Sequence, residues 1–125
     1  MYRIFRVPQL GIIGAGTLAE ALTKGWVSAG TVQIHQVWAS APTANEVYWM
    51  KQLGCETTTC NLDLVEKNRI IVLAAKPQVL PTILRQIAPA VTRDHLLLSF
   101  AAGKMRCFVF YEDFRLFPSL YSLYS

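Results

Sequence analysis

Apolar positions fall in short blocks along this chain, and their spacing switches between near-continuous and helical. Residues 7–13, VPQLGII, are mostly apolar and bounded by glycine, which predicts a buried strand. From Thr17 to Ala29 the residues Leu18, Ala21, Leu22, Gly25 and Trp26 share one helical face, with Gly30 as the stop. HQVWAS at 35–40 predicts a second strand. TANEVYWMKQLG at 43–54 predicts a helix with Thr43 as N-cap, Glu46 three positions on and Gly54 as terminator. CETTT at 55–59 reads as a weak third strand, and NLDLVEKN at 61–68 as a short helix capped by Asn61. RIIVLAA at 69–75 is the strongest strand signal. KPQVLPTILRQIAP at 76–89 reads as a helix opened by Pro77, with Pro81 either ending its first turn or moving its start. HLLLSFAAG at 95–103 gives a fifth strand.

Strands alternating with helices predict a parallel sheet with right-handed crossovers and helices on both faces. At 125 residues this is one domain. The pattern breaks after Gly103. The segment 104–125, KMRCFVFYEDFRLFPSLYSLYS, holds seven of the fourteen aromatic residues and shows neither strand alternation nor a helical stripe over most of its length. The segment is either a real terminal element or a tail never selected to pack on the sheet, and the expectation is the second. That would leave the fifth strand as an unpaired apolar edge and an aggregation template.

Composition narrows the function. Apolar residues make up 53% of the chain, but no uninterrupted run approaches the roughly 18 residues of a membrane span. The N-terminal stretch reaches the first glycines without the charged, apolar and cleavage regions of a secretion signal. Cys55, Cys60 and Cys107 do not pair by spacing, which fits a reducing, cytoplasmic setting. Cys55 and Cys60, even with His35 and His95, lack the tighter paired spacing of zinc ligands, so they read as ordinary thiols and no metal is expected. The net charge of +4 is scattered, which argues against nucleic acid and suits an anionic small molecule.

The chemistry lies in Gly14-Ala15-Gly16-Thr17-Leu18-Ala19, which follows a strand and opens a helix. That is the context of a dinucleotide-binding turn. Gly14 would make the tight turn, Gly16 would admit a pyrophosphate, and Ala19 would let the helix pack close to the strand. The helix N-terminus would add free N–H groups and partial positive charge. After the second strand, VWASAPT carries no acid before Glu46. An acid there would bind the ribose diol of NADH; Ser40 and the amides near Thr43 could instead hold a 2′-phosphate, which favours NADPH. No arginine is present to clamp that phosphate, so NADH stays possible, and Ser40 also reads as a plain turn residue. Lys76 in AAKP ends the best strand, either facing the ligand crevice or solvated before a helix. SFAAG at 99–103 offers small residues to a flat ring.

IGAGTLAEALTKG, WASAPT, LGCETTTCN, AAKPQVLPTIL and SFAAG, taken in order over residues 7–103, resemble pyrroline-5-carboxylate reductases. ASAPT and LGC resemble the cytosolic, third-isozyme-like branch. The resemblance implies a Rossmann-like, doubly wound parallel sheet, truncated here to five strands. It implies that Ile13, Gly14, Ala15, Gly16, Thr17 and Leu18 hold the pyrophosphate, and that Ser40, Pro42 and Asn61 take the adenosine end. Ala74, Ala75, Lys76 and Pro77 would line the ribose and nicotinamide side, and Ala101, Ala102 and Gly103 the nicotinamide. It also implies hydride transfer from NADPH or NADH to the cyclic imine 1-pyrroline-5-carboxylate, giving L-proline. Family members are homo-oligomers whose following helical domain forms the dimer and lends the substrate-carboxylate site. Nothing after Gly103 resembles that domain, so the expectation is a truncated product that binds cofactor and turns over little alone. A non-catalytic nucleotide-binding fragment and another small NADP-dependent reductase of the same fold stay open.

Overall fold

The near-continuous apolar block around Ile12 forms the middle of a sheet. It appears as β1 (Leu10–Ile13), buried at every position, in a computed structural model that describes residues 9–92, 94–101 and 104–109. Around it lie β2 (Val37–Ser40), β3 (Glu56–Thr58), β4 (Ile70–Leu73), β5 (Leu96–Ala101) and β6 (Lys104–Val109), in the order β3-β2-β1-β4-β5-β6. The pairings among β1 to β5 are all parallel. Ile13 lies opposite both Ser40 and Leu73, so β1, β2 and β4 end level with one another.

Alternation along the strands feeds two cores. Leu10, Ile12, Val37, Ala39 and Val72 pack with Ala19 of α1 (Thr17–Ser28) and Met50 of α2 (Ala44–Leu53). Ile13, Ile71, Leu73 and Leu97 face the other way, against Leu64 and Val65 of α3 (Asn61–Lys67) and Leu80, Ile83, Leu84 and Ile87 of α4 (Leu80–Ile87). A fully buried isoleucine or leucine contributes about 1.5–3 kcal/mol. The strongest such layer is the one under α4, where burial recurs at i, i+3, i+4 and i+7. This is the doubly wound architecture that the sequence predicts.

Four local expectations change. The buried side of α1 comprises Ala19 and Thr23, with Leu22, Trp26 and Val27 packed beside them, while Leu18 is exposed. The face is turned by one residue because the small Ala19 is the side chain that lets the helix approach the sheet. Cys60, not Asn61, is the N-cap of α3; Asn61 is its first helical residue and its amide bonds elsewhere. Pro77–Val79 is a 3-10 turn, and the α-helix begins at Leu80. Pro81 dictates this: with no N–H it cannot donate to residue 77, so it must lie within the first helical turn.

The fourth change concerns the tail. Residues 104–109 are not an unpacked segment: they return antiparallel along β5, from Ala101 opposite Lys104 to Leu96 opposite Val109. The edge of β5 is therefore paired. The expectation for residues 110–125 lies outside the described residues, as do the strand start expected at 7–8 and the site residues Ala102 and Gly103. Among the described residues, no helix is long and apolar enough to cross a membrane.

Candidate functional site

The site lies at the level carboxyl ends of β1, β2 and β4, where the chain must leave the sheet in a tight turn. Gly14 has φ +124°, and a Cβ there would stand 3.0 Å from the backbone carbon of Ala74. Conformation and space both demand glycine. The Gly14 N–H donates to the Ser40 carbonyl at 2.8 Å, and the Ala74 N–H donates to the Ile13 carbonyl at 2.9 Å. Three strand ends are thereby tied at one point.

Gly16 differs. Its φ of −87° and ψ of −163° suit any residue, and a Cβ there would meet no atom of the described residues within 4 Å. Neither backbone strain nor packing among the described residues accounts for this glycine. It is the N-cap of α1, which has no side-chain cap. The first N–H groups of that helix are thus left for an outside acceptor. Gly16, Thr17 and Leu18 are exposed, Gly14 and Ala15 half-buried, and Ile13 and Ala19 buried. The acid in this first turn, Glu20, is 2.6 Å from Lys24, which offsets its charge near the turn.

Beside the turn, a cleft of about 360 Å³ is lined by Pro42, Thr59, Cys60, Asn61, Leu62 and Gln86. Pro42 and Asn61, expected on the adenosine side, are brought together there. Ser40 is placed differently. Its side chain is wholly buried and its hydroxyl donates to Asn61 Oδ1 at 2.6 Å. The Asn61 amide nitrogen in turn donates to Gln86 Oε1 at 2.9 Å. Ser40 therefore supports the cleft through Asn61 rather than opening its hydroxyl to it.

On the other flank, Ala74 and Ala75 are half-buried against Gly14, and Lys76 is exposed, its carbonyl accepting the Val79 N–H that closes the 3-10 turn begun by Pro77. Ala101 ends β5 two residues past the level of Leu73, on the same edge of the sheet. Two side chains escaped the sequence reading. Trp49 donates its indole N–H to the Ala15 carbonyl at 2.9 Å, and Gln86 completes the Asn61 relay. Both meet their partners across 25 or more residues, so no local pattern announces them.

Cys55 and Cys60 do not converge. Cys55 is buried in the core below α2, and burial pushes its pKa from 9.0 up to about 11. Cys60 is exposed in the cleft. His95 lies just before the amino end of β5, at the end of the strands opposite the site. Its Nδ1 accepts the Thr92 N–H at 3.0 Å, so Nε2 carries the proton and donates to the Val65 carbonyl at 2.8 Å. Among the described residues, no group of three His, Cys, Asp or Glu could hold a metal.

Comparison with known proteins converges on this region. A family profile described as "NADP oxidoreductase coenzyme F420-dependent" matches residues 9–103. Pyrroline-5-carboxylate reductase 3 of Mus musculus is 45% identical over 95 residues, which cover 76% of this chain and 35% of that protein. The chain spans about a third of the length of the curated relatives it matches. A pyrroline-5-carboxylate reductase from Coxiella burnetii superposes with a TM-score of 0.71 at 21% identity, over 78% of this chain and 37% of that one. The Plasmodium falciparum pyrroline carboxylate reductase with NADP bound gives a TM-score of 0.65 at 25% identity, covering 76% of this chain and 34% of the other.

Proposed function

The chain belongs to the NADP oxidoreductase, coenzyme F420-dependent family, and from that membership we propose that it binds a nicotinamide dinucleotide as the cofactor-binding part of a pyrroline-5-carboxylate reductase. One observation carries the reading: Gly16, a glycine that nothing among the described residues requires, caps an uncapped helix at the ends of three strands. A pyrophosphate in contact with that backbone supplies the missing reason. The identity to pyrroline-5-carboxylate reductase 3 supports the substrate class.

In this reading Gly14 sets the turn, and the exposed amides of Gly16, Thr17 and Leu18 hold the pyrophosphate. Pro42 and Asn61 border the adenosine in the cleft, with Ser40 holding Asn61 in place. Ala74, Ala75, Lys76 and Pro77 flank the ribose and nicotinamide, and Ala101, Ala102 and Gly103 are assigned to the nicotinamide by the family resemblance. When bound, the reduced nicotinamide supplies a hydride to the imine carbon of 1-pyrroline-5-carboxylate. The described residues orient the carrier of that hydride, and such positioning contributes several kcal/mol in well-aligned cases. NADPH is the preferred donor, because no acid lies between the end of β2 and Glu46 to repel a 2′-phosphate. The setting is cytoplasmic, and the 125 residues alone reduce the imine negligibly.

Calorimetric titration with NADPH and NADH tests this. The parent chain should bind both, NADPH more tightly, and Gly16→Val should weaken NADPH at least tenfold, or about 1.4 kcal/mol. Equal affinities in parent and variant would remove the phosphate from the turn.

A further inference from the structure

The indole of Trp49 reaches from α2 to the glycine turn, where its N–H donates to the Ala15 carbonyl oxygen at 2.9 Å. Ala15 lies between the two glycines of that turn. The described peptide bonds are all trans, and in a trans peptide the N–H points opposite to the C=O. Fixing the Ala15 oxygen towards Trp49 therefore fixes the Gly16 N–H away from it. Glycine at 16 makes rotation of this peptide plane easy, since no Cβ restricts it. A flipped plane would present a carbonyl oxygen where the helix N-terminus otherwise presents a donor, and an anion would be repelled rather than held. Trp49 and Ala15 both pack, half-buried, against the same core cluster, so the indole ring is well placed to hold one orientation.

We infer that Trp49 is a positioning residue for the glycine turn: its indole N–H locks the Ala15–Gly16 peptide with the Gly16 N–H aimed at the bound phosphate. The inference rests on the dinucleotide reading and adds a residue that acts through the backbone without touching the ligand.

Trp49→Phe in the full chain keeps an aromatic ring in the packing and removes the donor. The probes are NADPH and inorganic pyrophosphate, by calorimetry, with urea unfolding measured in parallel. The dissociation constants for NADPH and pyrophosphate should each rise about five- to tenfold, while the unfolding midpoint stays near the parent's. In parent spectra the Trp49 indole N–H resonance should shift when either probe is added. Affinities unchanged in Trp49→Phe would overturn the positioning role and leave the dinucleotide reading standing. A parent chain that binds neither probe would overturn both. Should Trp49→Phe fail to fold, the parent indole resonance decides: unmoved at saturating NADPH, it overturns the role.

Discussion

Ser40 donates its hydroxyl proton to Asn61 Oδ1 across 2.6 Å, from a side chain with no exposed surface. The hydroxyl has a single proton to give, so the residue expected to meet a 2′-phosphate is occupied with Asn61. Ser40→Ala should therefore weaken NADPH and NADH by similar factors, about two- to fivefold, through a loosened Asn61. Stability should fall by about 1–2 kcal/mol, the range for an orphaned buried partner. Calorimetry with both dinucleotides checks this. Loss confined to NADPH would return the hydroxyl to the phosphate. Ser40→Asp, which from sequence alone would switch the donor, instead sets a buried carboxylate against an amide oxygen, and it should unfold the chain before it changes selectivity.

Gly14 and Gly16 should separate under mutation, although they sit two residues apart. Gly14→Ala forces a Cβ into a left-handed conformation and against Ala74, costing about 1–3 kcal/mol of fold stability. Gly16→Ser meets open space and gives α1 a side-chain cap, so stability should hold or rise slightly. NADPH binding should nonetheless drop tenfold or more, because the added side chain fills the approach. Urea unfolding and calorimetry on the same two proteins decide it. Equal destabilisation would show that Gly16 is a folding residue.

The two described thiols give a labelling contrast. With iodoacetamide at pH 8 and peptide mapping, Cys60 should react well before Cys55, and NADPH should slow Cys60 several-fold by filling the cleft it lines. Unprotected Cys60 at saturating NADPH would place the adenosine elsewhere.

Cys55 also makes stability fall with pH in a defined window. Its thiol titrates at 9.0 in the ordinary state and at about 11 in the fold. Below pH 9 both states hold the proton. Above it the unfolded chain releases first, so stability declines as pH rises from about 9 to 11, by up to about 2 kcal/mol. The stability difference between parent and Cys55→Ala should shrink over that interval. A constant difference in urea midpoints from pH 8 to 11 would contradict this.

The antiparallel return of β6 reverses one expectation about association. With β5 paired from Leu96 to Ala101, deleting residues 104–125 should uncover a six-residue strand edge and promote self-association. Size-exclusion chromatography of the shortened and full chains reads this directly. A shortened chain that elutes as a sharper monomer than the parent would make the tail the liability.

Elements specified by their own residues were legible in the sequence. Thr43 and Glu46 announce the start of α2, and the Glu46 carboxylate does reach back to the Thr43 amide at 3.2 Å and hydroxyl at 2.9 Å. Gly54 ends the helix with φ +108°. The glycine turn was legible for the same reason. What escaped depends on partners distant in sequence. The α1 face is set by Ala19 against the sheet, the role of Ser40 by Asn61, and β6 by the free edge of β5, which organises a stretch with little strand character of its own. Trp49 is the extreme case: a residue of an amphipathic helix by pattern, and a brace for a turn by geometry.

The knot at Gly14 makes three strand ends one mechanical body. Its amide is held by Ser40 and its missing side chain by Ala74, whose own amide is held by Ile13. The turn cannot open without releasing β2 or β4, so the Gly14 and Ala74 amides should exchange their hydrogens in a single cooperative event, with similar opening free energies. The two ends of the site proposed for the phosphate and the nicotinamide would then rise and fall together, and a ligand gripping one would quiet the other with no change in shape.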